Sequence, residues 1–414
     1  MHNSVSGSKP LLLVFPHNVM AHYLRCIQIA EQLKLYFDIM FLYSCRFHSF
    51  VMHAGYETFN CETLDAEKVQ QGIISFDFSW LNEKDLNLIY NKQVEVINEL
   101  RASAVLGDMS PTLRMATEKT GVRYFSLING YMSQYYAYVR RIPRSFPLYK
   151  LCNDLPTSFS NYLISKGEQL SFHKIHGPFK KIRKYARLSA KKSYLQELEG
   201  DVNMLCDLPE IFPQKKLPSN YYFVPPLYYK LKSTYNDIIE KIDNNKKTLY
   251  VSMGSTGNWE KVIFLNNPDY HHYNIITAGD TNKIIHGPSV FSYPFIDSSK
   301  IFEVTDLVIC HGGNGTTCQA LSFGIPVLCK TTHCEQEYNV DGLERQQLGK
   351  SLDDINNDSE YLTIIEEWVQ KKGNRQLSFI QNKIAEANNS FQQTIHNMLT
   401  TNSVIRFPIP ALSV

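Results

Sequence analysis

Apolar residues follow two rhythms along the chain. Leu11 to Phe15 is an unbroken apolar run, as expected of a strand buried on both faces, and after it Leu24, Ile27, Ala30 and Leu33 recur at helical spacing within 21–35. Strand signals return at 37–43, 102–107 and 122–128, with helical stretches between them. Such alternation predicts a parallel sheet covered by helices on both faces. Between Tyr131 and Pro226 the rhythm breaks into aromatic, basic and proline-punctuated segments, which read as a mobile region ending in a linker. A second alternating set then begins, with strands expected at 248–253, 273–278, 290–293, 307–310 and 326–330 and helices at 316–323, 335–348, 360–371 and 374–399.

The chain's 414 residues exceed what one compact core holds and fit two lobes. The expected fold class is α/β, two Rossmann-like parallel-sheet lobes with a ligand cleft between them at the carboxyl ends of both sheets. The first lobe is placed at 1–230 and the second at 231–390, with 391–414 a helix end and tail packing back on the first. Hydrophobic residues make up 43% and charged residues 20%, and no stretch approaches the ~20 apolar residues of a membrane helix. The polar start and the short apolar run after it do not form a signal peptide, and nine cysteines without paired spacing suit reduced thiols. A cytoplasmic protein is expected, free or peripheral on the inner membrane face.

A net charge of +2 excludes nothing, but 173–192 carries eight Lys or Arg and no acid. Such a run is either a solvated helix face or a surface for an anionic acceptor or membrane, and the interleaved Phe172, Phe179, Tyr185 and Tyr194 suit the latter. No nucleic acid partner is expected.

Chemistry concentrates where the apolar run Leu307 to Cys310 enters His311-Gly312-Gly313-Asn314-Gly315-Thr316-Thr317 and then a helix. Glycines let the backbone approach a ligand, and the first helical turn offers unpaired N–H groups and a favourable dipole for an anion. The bland alternative is a tight strand-to-helix connection.

The following residues separate the two. With Ala320-Leu321, Gly324-Ile325-Pro326, Glu335-Gln336, Asn339 and Gly349 spaced behind the turn, and Val251-Ser252-Met253-Gly254-Ser255 upstream, the chain resembles the UDP-glycosyltransferase superfamily, the family 1 glycosyltransferases. It is similar to MurG and to the bacterial antibiotic and macrolide glycosyltransferases, which share the two-lobed GT-B fold. The resemblance implies that His311, Gly313, Gly315, Thr316 and Thr317 hold a donor diphosphate, with Ser255 beside it. It implies that Glu335 and Gln336 bond the donor sugar's hydroxyls. It places Tyr293, with Phe295 and Ile296 nearby, at the nucleoside, and Gln319 where relatives carry a Glu for the ribose. An amide accepts more weakly than a carboxylate, which leaves a dTDP-sugar open beside a UDP-sugar. Lys330 in place of a usual proline, and His333 and Cys334 in the next loop, depart from the pattern and suggest unusual sugar specificity.

His22, in the loop after the first strand, lies at the offset of the family's catalytic histidine, and Asp108 matches the acid that orients it. A neutral imidazole taking a proton from an acceptor hydroxyl contributes about 10²–10⁴-fold. His17 is the substitute base; a helix-capping role is the bland reading of either His22 or Asp108. The expected reaction is inverting transfer of a sugar from a UDP- or dTDP-sugar to a hydroxyl of a small-molecule or lipid acceptor shaped by 131–229. Natural product glycosylation is one such setting. No Asp-x-Asp occurs, so neither a bound metal nor another cofactor is expected. Cys310, His311, Cys318, Cys329, His333 and Cys334 invite a zinc reading, which their spacing opposes. The competing functions are an epimerase or hydrolase on the same fold, and a non-catalytic nucleotide-sugar-binding partner protein.

Overall fold

The computed structural model describes residues 9–146, 149–153, 155, 157–228, 238–294 and 296–401. Phe295, the boundary near 230 and the tail beyond 401 lie outside the described residues. Two all-parallel sheets form the frame. The first has the order β3-β2-β1-β4-β5-β6-β7, built from β1 (Leu11–Pro16), β2 (Asp38–Leu42), β3 (Glu57–Phe59), β4 (Ala104–Asp108), β5 (Arg123–Ile128), β6 (Val202–Leu205) and β7 (Tyr221–Phe223). The second has the order β10-β9-β8-β11-β12-β13, from β8 (Thr248–Ser252), β9 (Asn274–Ala278), β10 (Val290–Tyr293), β11 (Leu307–Cys310), β12 (Val327–Cys329) and β13 (Gly349–Ser351).

The central strands are buried because helices cover both faces: β8, β9 and β11 are buried at every residue, and β1 at all but its first. Seven helices matter below: α1 (Met20–Leu33), α2 (Ala66–Ser75), α3 (Thr157–Ile175), α4 (Gly177–Ala186), α5 (Asn314–Leu321), α6 (Cys334–Arg345) and α7 (Arg375–Thr401). The last joins the two halves. Its Leu377, Ile380 and Ile384 pack with Leu321 and Ile325 of the second, while Phe391, Ile395 and Met398 pack with Leu12, Ile27 and Leu127 of the first.

The segment expected to be irregular, 131–226, corrects the sequence reading. It supplies α3 and α4, and its β6 and β7 complete the first sheet. Four residues of Val-Asn-Met-Leu and three of Tyr-Tyr-Phe are too short to show a period. Register brings the functional ends together. Pro16 pairs with Asp108 and Asp108 with Leu127, while Cys310 pairs with both Ser252 and Cys329, so the loops after β1, β4 and β5 adjoin, as do those after β8, β11 and β12.

Candidate active site

The first sheet contributes a histidine and its supports. α1 begins at Met20, which puts His22 in its first turn and Arg25 one turn on, over the end of β4. His22 Nδ1 lies 2.9 Å from Asp108 Oδ1. Asp108 is fully buried; burial pushes its carboxyl up, but the Arg25 guanidinium and then His22 outweigh this and hold it at about 2. Arg25 clasps both carboxylate oxygens through Nε and Nη2 and reaches Asn129 Oδ1 at 2.8 Å through Nη1. A carboxylate that keeps no proton is an acceptor alone, so the bond at His22 runs from Nδ1–H to Asp108 and leaves Nε2 with its lone pair. His17 sits edge-on to His22 at 5.4 Å between ring centroids. Burial, then the neighbouring His22, lowers it to about 3, so His17 stays neutral and weakly basic.

Across the cleft, β11 runs into the glycine turn and α5. Gly312 has φ +83°, and a Cβ there would meet Val340 at 2.7 Å; Gly254, φ +57°, would strike the His311 ring at 2.5 Å. The His311 ring also leaves no room for a Cβ on Gly313, which begins α5 as an N-cap without a capping side chain. The first N–H groups of α5 therefore have no side-chain acceptor at the cap. His311 is buried, and burial followed by His333 lowers it to about 4, so its ring is neutral. Asn339 fixes the turn by donating to Gly312 O at 2.8 Å and Thr317 Oγ1 at 3.0 Å.

Between them lies a cavity of about 690 Å³. It is lined by His17, His22 and Arg25 from one side and by Ser255, Thr256, His311 to Asn314 and Glu335 from the other. Its first-lobe walls are mostly apolar, among them Val69, Ile73, Phe78, Trp80, Ile164 and Phe172, with Arg140, Arg141 and Glu168 between them. A concave apolar site with a few convergent polar groups is the usual form of a small-molecule site.

Residues 237–399 match the family model described as the glycosyltransferase family 28 C-terminal domain. The chain is 23% identical over 364 residues to a PGL/p-HBAD biosynthesis glycosyltransferase of Mycobacterium tuberculosis, covering 84% of this chain and 82% of that one. The chain is a glycosyltransferase with the GT-B fold. Its fold is shared with the calicheamicin glycosyltransferase CalG4, at TM-score 0.69 and 13% identity over 95% of this chain and 99% of that one. It is shared too with the Streptomyces glycosyltransferase SsfS6 complexed with thymidine diphosphate, at TM-score 0.64 and 12% identity over 94% and 99%.

In this glycosyltransferase the residues singled out from sequence do not all stand at the cavity. His22, Ser255, His311, Gly313, Glu335 and Gln336 line it, and Asp108 stands directly behind His22. Thr317 is buried and gives its hydroxyl to Gly313 O and Asn314 O, so its one proton is held inside the turn. Thr316 and Gly315 lie beside it in the first turn of α5, outside the cavity lining. Gln336 is buried; its Oε1 accepts from Thr332 N and Oγ1 at 2.7 and 2.8 Å and its Nε2 donates to Thr256 at 3.2 Å, which ties the loop before α6 to the loop after β8. Tyr293 ends the edge strand β10, half-buried and away from the cavity, and Ile296 is core. Gln319 is buried, accepts from Ser298 at 2.9 Å and keeps an unpartnered Nε2. Lys330 turns to Tyr361, 2.5 Å away, rather than to the cleft.

Three residues that the sequence reading passed over complete the site. Arg25 is a lone cation among the buried positions Cys26, Ile27, Ile29 and Ala30, a signal visible in the sequence. Asp207, just past β6, accepts from Gly130 N at 2.6 Å and from the Asn314 side chain, and so bridges the first half to the start of α5. Arg144 also crosses, pairing with Asp354 at 2.6 Å while its backbone N–H donates to Glu337 at 3.0 Å.

Proposed function

We propose that this enzyme transfers a sugar, with inversion and without a metal, from a UDP- or dTDP-sugar to a hydroxyl of an apolar or amphiphilic acceptor, with His22 as general base. One observation carries the reading: a histidine whose Nδ1 is committed to a buried carboxylate opens onto the same cavity as a glycine turn at a helix start. The acceptor hydroxyl gives its proton to His22 Nε2 as its oxygen attacks the anomeric carbon from the face opposite the diphosphate. Asp108 stabilises the imidazolium that forms. Charge leaving with the diphosphate meets the N–H groups of the first turn of α5 and of the glycine turn, and neutral His311 lies behind them. This phosphate site is built from backbone dipoles, and the chain has no Asp-x-Asp to hold a metal for the same task.

Glu335, half-buried at the cavity and with no partner among the described residues, is the group placed to accept from sugar hydroxyls. Gln336 acts one step back, by holding the Thr332 loop. The acceptor fills the apolar part of the cavity, against α2 and α3. A thymidine diphosphate complex of a protein with this fold and the amide at Gln319 support dTDP beside UDP.

The test is His22→Ala. The variant keeps its melting temperature and its nucleotide affinity, and its transfer rate falls about 10²–10⁴-fold. Transfer as fast as the parent by a folded variant removes His22 as base. Nucleotide-sugar bound by the parent, with neither transfer nor hydrolysis against extracts of acceptor, sinks the enzymatic reading.

A further inference from the structure

α3 is a wall with two apolar faces. Its inner side, Ile164, Glu168, Ser171, Phe172 and Ile175, lines the cavity, and Glu168, the only acidic residue of the helix, is paired there with Arg140. Its outer side carries Phe159, Tyr162, Leu163, Lys166, Leu170, His173 and Lys174, which recur at helical spacing and form one exposed stripe. Leu170 is 71% exposed, Tyr162 59% and Phe159 52%. Single exposed apolar residues are ordinary, but four on one face of one helix are not.

The basic run that follows divides in two. Arg183 is buried against Glu197 and Glu118, Lys181 pairs with Glu83, and Lys191 with Glu118, so these serve the fold. Lys166, Lys174, Lys184 and Arg187 are exposed and have no carboxylate partner among the described residues. Tyr185, 74% exposed, stands between the last two. Among the described residues the face is therefore apolar with a basic rim and no acid.

We propose that the outer face of α3, with the end of α4, seats the enzyme on an anionic lipid bilayer. Aromatic and leucine side chains enter the headgroup boundary while Lys and Arg meet lipid phosphates, as in helices lying in the membrane plane. A second copy of this chain would bring one basic rim against another; an anionic surface matches both the charge and the apolar stripe. Leu163, Lys166 and Leu170 also border the cavity, so its mouth opens beside the seated face. Resting on the reading of that cavity as the acceptor site, the acceptor is then a hydroxyl-bearing lipid that leaves the bilayer around α3.

The test is flotation of the full chain with vesicles of phosphatidylcholine alone or mixed with phosphatidylglycerol, at low and high salt. The expected result is binding to the anionic vesicles at low salt, weakened by salt and absent on phosphatidylcholine. The double variant F159E, L170E is expected to lose at least about tenfold in partitioning with an unchanged melting temperature. If it melts early, K174E with K184E replaces it and is expected to lose binding likewise. A parent that ignores anionic vesicles, or folded variants that bind like the parent, overturns the proposal. A parent dimer dissolved by the same variants puts a second copy on the face and overturns it too. Sugar transfer does not enter the assay, so its outcome and that of the His22→Ala test are read separately.

Discussion

Arg25 and His22 share one oxygen of Asp108. Arg25 Nη2 lies 2.5 Å and His22 Nδ1 2.9 Å from Oδ1, and the two nitrogens are 3.1 Å apart. A carboxylate that neutralises a guanidinium has less charge left for an imidazolium, and the guanidinium itself opposes a second cation beside it. His17 from the β1 loop also faces His22, Asn129 and Cys206 surround Arg25, and Glu335 lines the same cavity.

Arg25→Met therefore lowers kcat/KM, because Asp108 loses the fork that fixes it against His22. Breaking a buried pair costs about 3–5 kcal/mol, so a lower melting temperature accompanies the change. Arg25→Lys keeps the charge and loses the fork, so it restores part of the melting temperature and little of kcat. Transfer by folded Arg25→Met at the parent's rate would show that Arg25 only packs.

We propose that Gln319 selects the nucleoside. Its Oε1 is engaged by Ser298, which leaves its N–H group unpartnered. Gln319→Glu is expected to favour UDP over dTDP by about tenfold in affinity, since a site built to bond a hydroxyl discriminates against a ligand lacking it. Competition binding with the two free diphosphates measures this. An unchanged ratio removes Gln319 from the nucleoside site.

The fold was legible where a short apolar run stood out from its flanks: β11 was readable to the residue because Leu307 to Cys310 stands between Asp306 and His311, and β10 because Pro294 follows Tyr293. α3, 19 residues long, was missed because its apolar residues lie on two faces. β6 and β7 were not readable, since their place at the sheet edge is set by β5 rather than by any period of their own. The resemblance singled out His22, Asp108 and His311 on strand ends and a glycine turn, and the structure brings His22 and His311 to one cavity with Asp108 behind His22. Spacing does not say where a side chain points. Thr317, Gln336 and Lys330 spend their polar atoms on the turn, the Thr256 loop and Tyr361, and only packing reveals it.

His311 makes stability depend on pH. Its ring is lowered to about 4 by burial, below its ordinary value near 6.5, so the unfolded chain takes up the proton first. The stabilisation is whole above pH 6.5 and is lost as pH falls toward 4. At pH 5 the loss is about 2 kcal/mol. His17, lowered to about 3, adds in the same direction but is open to the cleft and so adds less. His311→Asn is expected to flatten the fall in melting temperature between pH 7 and 5; a slope equal to the parent's would assign the acid sensitivity elsewhere.

Asp207 couples the two halves at the glycine turn. It is buried, and burial pushes its carboxyl up while the Gly130 N–H and the Asn314 amide oppose the rise. Asp207→Ala leaves both donors unpaired, at about 1–3 kcal/mol, and frees the start of α5, so the melting temperature falls and the donor KM rises. Exchanging the pair, Asp207→Asn with Asn314→Asp, separates the two effects. The exchanged residues still bond each other and Gly130, so the melting temperature recovers. A carboxylate now stands in the first turn of α5, where it takes up the dipole and repels a diphosphate, so the donor KM stays high. Recovery of both quantities would mean that the start of α5 does not face the phosphates.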